Sequence, residues 1–151
     1  LLSNRRIGYV GDPHLLRGLA ELARLLGLRL RLAAVTSRSR RTTGADEGLA
    51  AEEVLRAPTR QVFAERVGRA IEGAELEVLI GNGLALDFPG VEVMSFGFPG
   101  ELGHALYDRP FLGYRGALAF VDTLANHLRR VDRQVWPGLL GLSGVVARTP
   151  G

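Results

Sequence analysis

The chain has 151 residues, the length of one globular domain, and its 46% hydrophobic and 23% charged residues are an ordinary balance for a folded soluble protein. It has no cysteine, which excludes a disulfide framework, a thiolate metal site or an iron–sulfur cluster held by its own residues. All 19 basic residues are arginine, but the net charge is only +3 and no basic stripe of the kind that binds nucleic acid is present.

No apolar run reaches the roughly 18 to 20 residues of a membrane span, and Leu1 to Arg6 lack the order of a signal peptide. The expectation is a cytoplasmic protein with neither nucleic acid nor membrane as a partner. Because the chain begins with leucine, it is expected to be a segment of a longer protein or one with its start missing.

Ile7-Gly8-Tyr9-Val10 is a short apolar run ending in Gly11-Asp12-Pro13. Leu15, Leu16, Leu19, Leu22, Leu25 and Leu26 then recur at helical spacing until Gly27. This predicts strand, turn, helix and glycine stop. Leu28 to Val35 alternates leucine with arginine and then turns wholly apolar, which predicts a second strand with one partly exposed face. The two strands are expected to be parallel neighbours joined by a crossover helix. From Thr36 to Pro58 the composition shifts to Ser, Thr, Gly, Arg and acidic residues, and this stretch reads as an irregular connector in which Ala50 to Arg56 form a helical turn or two. Its run Arg38-Ser39-Arg40-Arg41 reads as a solvated charge run or a contact for an acidic partner or a phosphate.

Gln61 to Glu72 predicts a second helix with Val62, Val67 and Ile71 on one side, and Leu76 to Ile80 a strand ending at Gly81-Asn82-Gly83. Val91 to Ser95 predicts another strand, ending at Phe96-Gly97-Phe98-Pro99-Gly100. The closing helix is predicted from Gly113 to Arg130, with Tyr114 packing and Leu118, Val121 and Leu124 facing the sheet. The predicted fold class is α/β: a Rossmann-like three-layer fold with an open, mainly parallel twisted sheet of about four strands. The domain is expected to span residues 1–130. Residues 131–151, apolar around Trp136 but broken by Pro137, Gly138 and Gly141, read as a tail that either docks on another subunit or domain or is disordered.

In an open parallel sheet, ligands bind beyond the carboxyl ends of the strands, near the point where strand order reverses. The loops suited to that edge are Gly11-Asp12-Pro13-His14, Gly81-Asn82-Gly83, and Gly97 through Asp108. Each also has a purely structural reading: Asp12 and Pro13, for example, are a standard helix cap and first-turn proline. The chain lacks both the G-x-G-x-x-G fingerprint after a strand and the P-loop pattern, so independent nucleotide binding is not expected. It also lacks a serine nucleophile elbow and an H-E-x-x-H pattern, and no catalytic residue is assigned.

Of the three histidines, His127 lies near the end of the last predicted helix, where a cation suits the dipole, and reads as structural. His14 opens a helix and faces either solvent or a ligand. His104, beside Tyr107, Asp108 and Arg109, has the chemistry of a metal ligand, a proton relay or a loop hydrogen bond.

The series "RRIGYVGDPHLLRGLAELARLLGL", "LEVLIGN", "VEVMSFGFP" and "LGYRGALAFVDTLAN" resembles the C-terminal Rossmann-like domain of the nitrogenase component 1 family. That family includes the subunits of catalytic nitrogenase, of the cofactor-assembly scaffold and of dark-operative protochlorophyllide reductase, together with nitrogenase-like proteins of unknown role. The resemblance covers Arg5 to Arg130, and "GFP…GYRGA" is closer to the β-type and scaffold-type subunits.

The resemblance implies that Gly11, Asp12, Pro13 and His14 face a cofactor cavity, with Gly81, Asn82 and Gly97 at the same edge. It further implies that His104 falls where the family's α subunit carries its histidine ligand to the cofactor, which makes it the candidate metal ligand. Arg115 is the candidate for stabilising cluster charge, with a helix-surface salt bridge as its plainer role. The family's cluster-ligating cysteines lie largely in the preceding domains. The implied cofactor is therefore an iron–sulfur or metal–sulfur cluster of the full-length complex, with none bound by this chain alone. The implied partners are a paired component 1 subunit and a reductase iron protein that delivers electrons in an ATP-dependent reduction. A non-catalytic cofactor-assembly scaffold is the alternative, and a Rossmann-like small-molecule-binding module is the reading that sets the resemblance aside.

Overall fold

The computed structural model describes residues 2–36, 51–81, 88–96 and 113–139, the last segment with side chains through 133. The first apolar run forms β1 (Arg6–Gly11), buried from Ile7 onward. Helix α1 (Pro13–Leu26) follows at once. Asp12 keeps an extended backbone while its side chain accepts a bond from the His14 amide, Pro13 opens the helix, and Gly27 ends it in the left-handed region at φ 70°. The buried face is Pro13, Leu16, Leu19, Ala20 and Ala23. Leu25 is 67% exposed, so small alanines take inner positions that the leucine spacing had assigned to larger side chains.

β2 (Arg29–Val35) pairs parallel with β1, with Ile7 opposite Leu30 and Gly8 opposite Leu32. One residue of β2 is therefore extra at Arg31, an irregularity that reverses the facing of everything beyond it. Leu30 consequently packs into one core and Leu32 into the other. The expected single exposed face gives way to a strand buried on both sides from Leu32 to Val35.

Ala51 to Arg56 is a strand, β3, and not the expected helical turn. Its residues favour helix by propensity, but parallel pairing with β2, from Leu30 opposite Ala51 to Val35 opposite Arg56, overrides that preference. Its charged side chains are matched by arginines: Arg31 donates to Glu52, and Arg66 Nε to Glu53 at 2.7 Å.

α2 (Arg60–Glu72) is capped by Thr59, whose side chain accepts from the Val62 amide. Its inner face is Phe63, Val67 and Ala70, whereas Val62 is 48% exposed and Ile71 only partly buried. The expected Val62–Val67–Ile71 side is thus rotated. Phe63 is the residue that fixes the face, with its ring edge-on to Phe88 at 5.6 Å.

β4 (Val78–Gly81) and β5 (Glu92–Ser95) complete the sheet. Among the described residues the sheet has five strands in the order β3-β2-β1-β4-β5. All pairs are parallel. The extra strand over the expected four is β3.

The last helix, α3, spans Gly113–Leu139 and so continues past the expected end at Arg130. Arg5 NH2 reaches both the Leu128 carbonyl at 3.2 Å and Asp132 Oδ1 at 2.6 Å, which anchors the helix where it was expected to end. Residues 140–151 lie outside the described residues. The inner side of α3 is Phe120, Leu124 and Leu128, with Val121 partly buried. Tyr114 is 80% and Leu118 52% exposed, so neither packs as expected. His127 sits within the helix and not at its end: Nδ1 lies 2.7 Å from Glu92 Oε1, so a carboxylate on β5, and not the helix dipole, is its partner.

Three layers result. α1 and α3 cover one face through a core of Ile7, Tyr9, Leu16, Val78, Ile80, Leu124 and Leu128, and α2 covers the other over Val10, Leu32, Ala34, Val67 and Leu79. No helix among the described residues is long and apolar enough to cross a membrane.

Candidate functional site

The two edges of the sheet differ in kind. At the amino edge, arginines and carboxylates consume one another. Arg5 NH1 lies 3.2 Å from Glu77 Oε1 and Arg6 Nε 3.3 Å from Glu77 Oε2, while Arg130 NH1 meets Glu92 Oε1 at 3.1 Å. These bonds tie the strand starts to the far half of α3. The partners neutralise one another, leaving an edge suited to holding the layers together.

The carboxyl edge is built from backbone and helix starts. Strand order reverses between β1 and β4, which are neighbours with Val10 opposite Gly81. β1 is followed by a crossover to β2 on one side, and β4 leads on to β5 on the other, so the crevice beyond Gly11 and Gly81 is the switch point of the fold. α1 and α2 begin at this edge because each follows a strand directly. α3 does too, since its course from Phe120, edge-on to Phe96 at 4.9 Å, to His127 beside Glu92 runs opposite to β5. The positive ends of the helix dipoles therefore converge on one edge, an electrostatic setting that favours an anion.

Of the residues singled out in the sequence, Gly11, Asp12, Pro13, His14 and Gly81 are brought together at this point. Gly11 and Gly81 are buried strand ends, Pro13 is buried at the helix start, and Asp12 and His14 are exposed. Asp12 Oδ1 accepts from the His14 amide at 2.7 Å, and the Asp12 carbonyl from the Leu16 amide at 3.2 Å. The Gly81 carbonyl accepts from the Phe96 amide at 2.7 Å. Arg115 is exposed on the first turn of α3, at the same edge. Asn82, Gly97 and His104 lie outside the described residues.

Two residues of the site were missed from sequence. Thr36, just beyond β2, donates its amide to the Gly11 carbonyl at 3.0 Å and its hydroxyl to the same oxygen at 3.3 Å. Tyr9 is fully buried, and its hydroxyl donates to the Asp12 carbonyl at 3.0 Å. Burial, with the Asp12 charge adding to it, pushes the Tyr9 phenol above its ordinary 10.0, so the hydroxyl remains a donor. A Cβ at position 11 would lie 2.6 Å from that hydroxyl. Gly11 is therefore glycine because the Tyr9 ring end occupies the space. The signal was present: residues 9 and 11 share a face of a strand, and an aromatic two positions before a glycine has room to fold over it.

Among the described residues no group of three or more His, Cys, Asp or Glu is placed to hold a metal ion. The described part of the edge offers helix starts that favour an anion, and it does not supply a ligand set.

Comparison with known proteins agrees with this architecture. Residues 1–129 match the family model described as nitrogenase component 1 type oxidoreductase. The chain is 26% identical over 137 residues to the nitrogenase iron-iron protein beta chain of Rhodobacter capsulatus, an alignment covering 84% of this chain and 29% of that one. Its fold is similar, with a TM-score of 0.70 and 19% identity, to a solved structure described as "Nitrogenase Cp1 at pH 6.5", over 85% of this chain and 29% of that chain. The chain thus spans less than a third of the length of these relatives. With a Rossmann-like parallel sheet and a family match over most of its length, the chain belongs to the nitrogenase component 1 type oxidoreductase family.

Proposed function

We propose that this chain is the Rossmann-like domain that walls one side of a metallocofactor or substrate cavity in a nitrogenase-like component 1 subunit. The observation that supports the reading is the convergence of Gly11–His14, Gly81 and the helix N-termini at the switch point of a sheet whose opposite edge is taken up by ion pairs. When bound, an iron–sulfur or metal–sulfur cluster would accept the electrons that the partner protein delivers and pass them to the substrate. The chain's own residues shape the wall: the glycine strand ends keep it flat, and the dipoles of α1 and α3 with Arg115 oppose the negative charge that builds up on reduction. His104 is the residue we assign as the ligand reaching from this chain, and the cysteine ligands come from elsewhere in the complex. The partners are a paired component 1 subunit and a separate iron–sulfur protein that delivers electrons with ATP hydrolysis, in the cytoplasm.

The test uses the full polypeptide purified anaerobically with its paired subunit. A cluster electron-paramagnetic signal with reductant-dependent turnover is expected of the enzyme. A cluster that transfers to an acceptor but never turns over assigns the protein to cofactor assembly, and no cluster at all refutes both. Replacing His104 with alanine is expected to lower the retained metal; unchanged metal content removes it as a ligand.

A further inference from the structure

The carboxyl edge is tied to a side chain of the core. Tyr9 is buried in the core shared by α1 and α3, among residues whose contacts are apolar, yet its hydroxyl emerges at the strand end and donates to the Asp12 carbonyl at 3.0 Å. That carbonyl also accepts the first helical bond of α1, from the Leu16 amide. One oxygen is thus the junction between the core of the sheet and the first turn of the helix. Asp12 is also the cap, since its carboxylate holds the His14 amide. Gly11, beside the hydroxyl, leaves the ring no alternative occupant of that space and permits the approach.

We infer that Tyr9 is a positioning residue for the switch-point loop. Its hydroxyl fixes where the Asp12 carbonyl sits, and through it the direction in which the start of α1 and the exposed His14 face the crevice. The tie acts through the loop. Its functional consequence rests on the cavity-wall reading above. A neutral, buried donor suits this role because it holds the loop without adding charge to an edge that favours anions.

The experiment compares Tyr9→Phe with Ile7→Val in the intact subunit, by hydrogen exchange and by the spectrum of its cluster. Ile7→Val trims the same core without removing a polar atom and reports ordinary packing loss. Tyr9→Phe is expected to speed exchange about tenfold in the segment from His14 to Leu16, the scale of one lost hydrogen bond, with β1 and β4 unchanged. It is also expected to shift the cluster's electron-paramagnetic spectrum, which Ile7→Val leaves alone. If Tyr9→Phe gives the same diffuse change as Ile7→Val, or none at His14 to Leu16, the tie does not position the loop and the inference fails. If exchange rises locally while the spectrum and metal content stay fixed, the tie stands and the cavity-wall reading fails.

Discussion

Replacing Gly11 with alanine tests whether space, and not backbone conformation, demands glycine there. Gly11 is not among the glycines with positive φ, so alanine meets no backbone penalty. The new Cβ would lie 2.6 Å from the Tyr9 hydroxyl oxygen, closer than real Cβ contacts allow, and 3.0 Å from Cζ, a tight contact. The ring is fully buried and cannot swing into solvent, so the clash must be relieved by shifting β1 or breaking the bond to Asp12. Overpacking of this kind costs ~1–3 kcal/mol. For a chain of this length that lowers Tm by roughly 3–9 °C. In a Tyr9→Phe background the 2.6 Å contact disappears and the nearest atom is the ring carbon at 3.0 Å, so the same alanine is expected to cost at least ~1 kcal/mol less. Thermal and urea unfolding of the wild type, both single variants and the double variant give the coupling. Additivity within ~0.5 kcal/mol would refute the steric account of Gly11.

Three further expectations follow from the packing and the charges. Leu124→Ala, at a fully buried position of α3, is expected to cost ~2–5 kcal/mol, while Tyr114→Ser, at an 80% exposed one, changes stability by less than ~0.5 kcal/mol; equal effects in urea unfolding would contradict the assigned inner face. Gly27→Ala places a side chain at φ 70° in the α1 stop and is expected to cost ~1 kcal/mol, measured in the same way. The hydrogen bond from Arg31 holds the Glu52 carboxyl below its ordinary 4.5, so its stabilising contribution is complete above that pH and lost as pH falls through the lower folded value. The stability difference between wild type and Glu52→Gln should therefore be present near neutrality and close as pH falls through the lowered folded value; a difference that widens on acidification would reverse the sign.

The fold class and the parallel pairing of the first two strands were legible because they depend on local signals: an apolar run, then Asp12-Pro13, then leucines at helical spacing up to Gly27; the place where strand order reverses came only from the pairing of β1 with β4. What was not legible depends on partners distant in sequence. Ala51 to Arg56 carries helix formers and becomes strand only because β2 offers it a pairing edge. The extra residue at Arg31 sends Leu30 and Leu32 to opposite cores, which strict alternation cannot express. The inner face of α2 turns on Phe63 and Ala70, because a sheet surface takes an alanine as readily as a valine where backbones approach closely. α3 runs on to Leu139, beyond the expected end at Arg130, and Arg5, at the other end of the chain, ties it at Leu128 and Asp132, a contact no local signal announces. In the site, Gly11 to His14 were recognisable as a strand-end loop, and the Tyr9 tie was not, since it is made by a side chain that belongs to the core.

The most direct measurement of the central claim is the position of iron in the intact subunit, read from anomalous scattering at the iron edge. The account predicts iron beyond the carboxyl ends of β1 and β4, facing Gly11 to His14 and the start of α3. Iron beside the ion pairs of Arg5, Glu77 and Glu92, or none within the subunit and its paired partner, would contradict it.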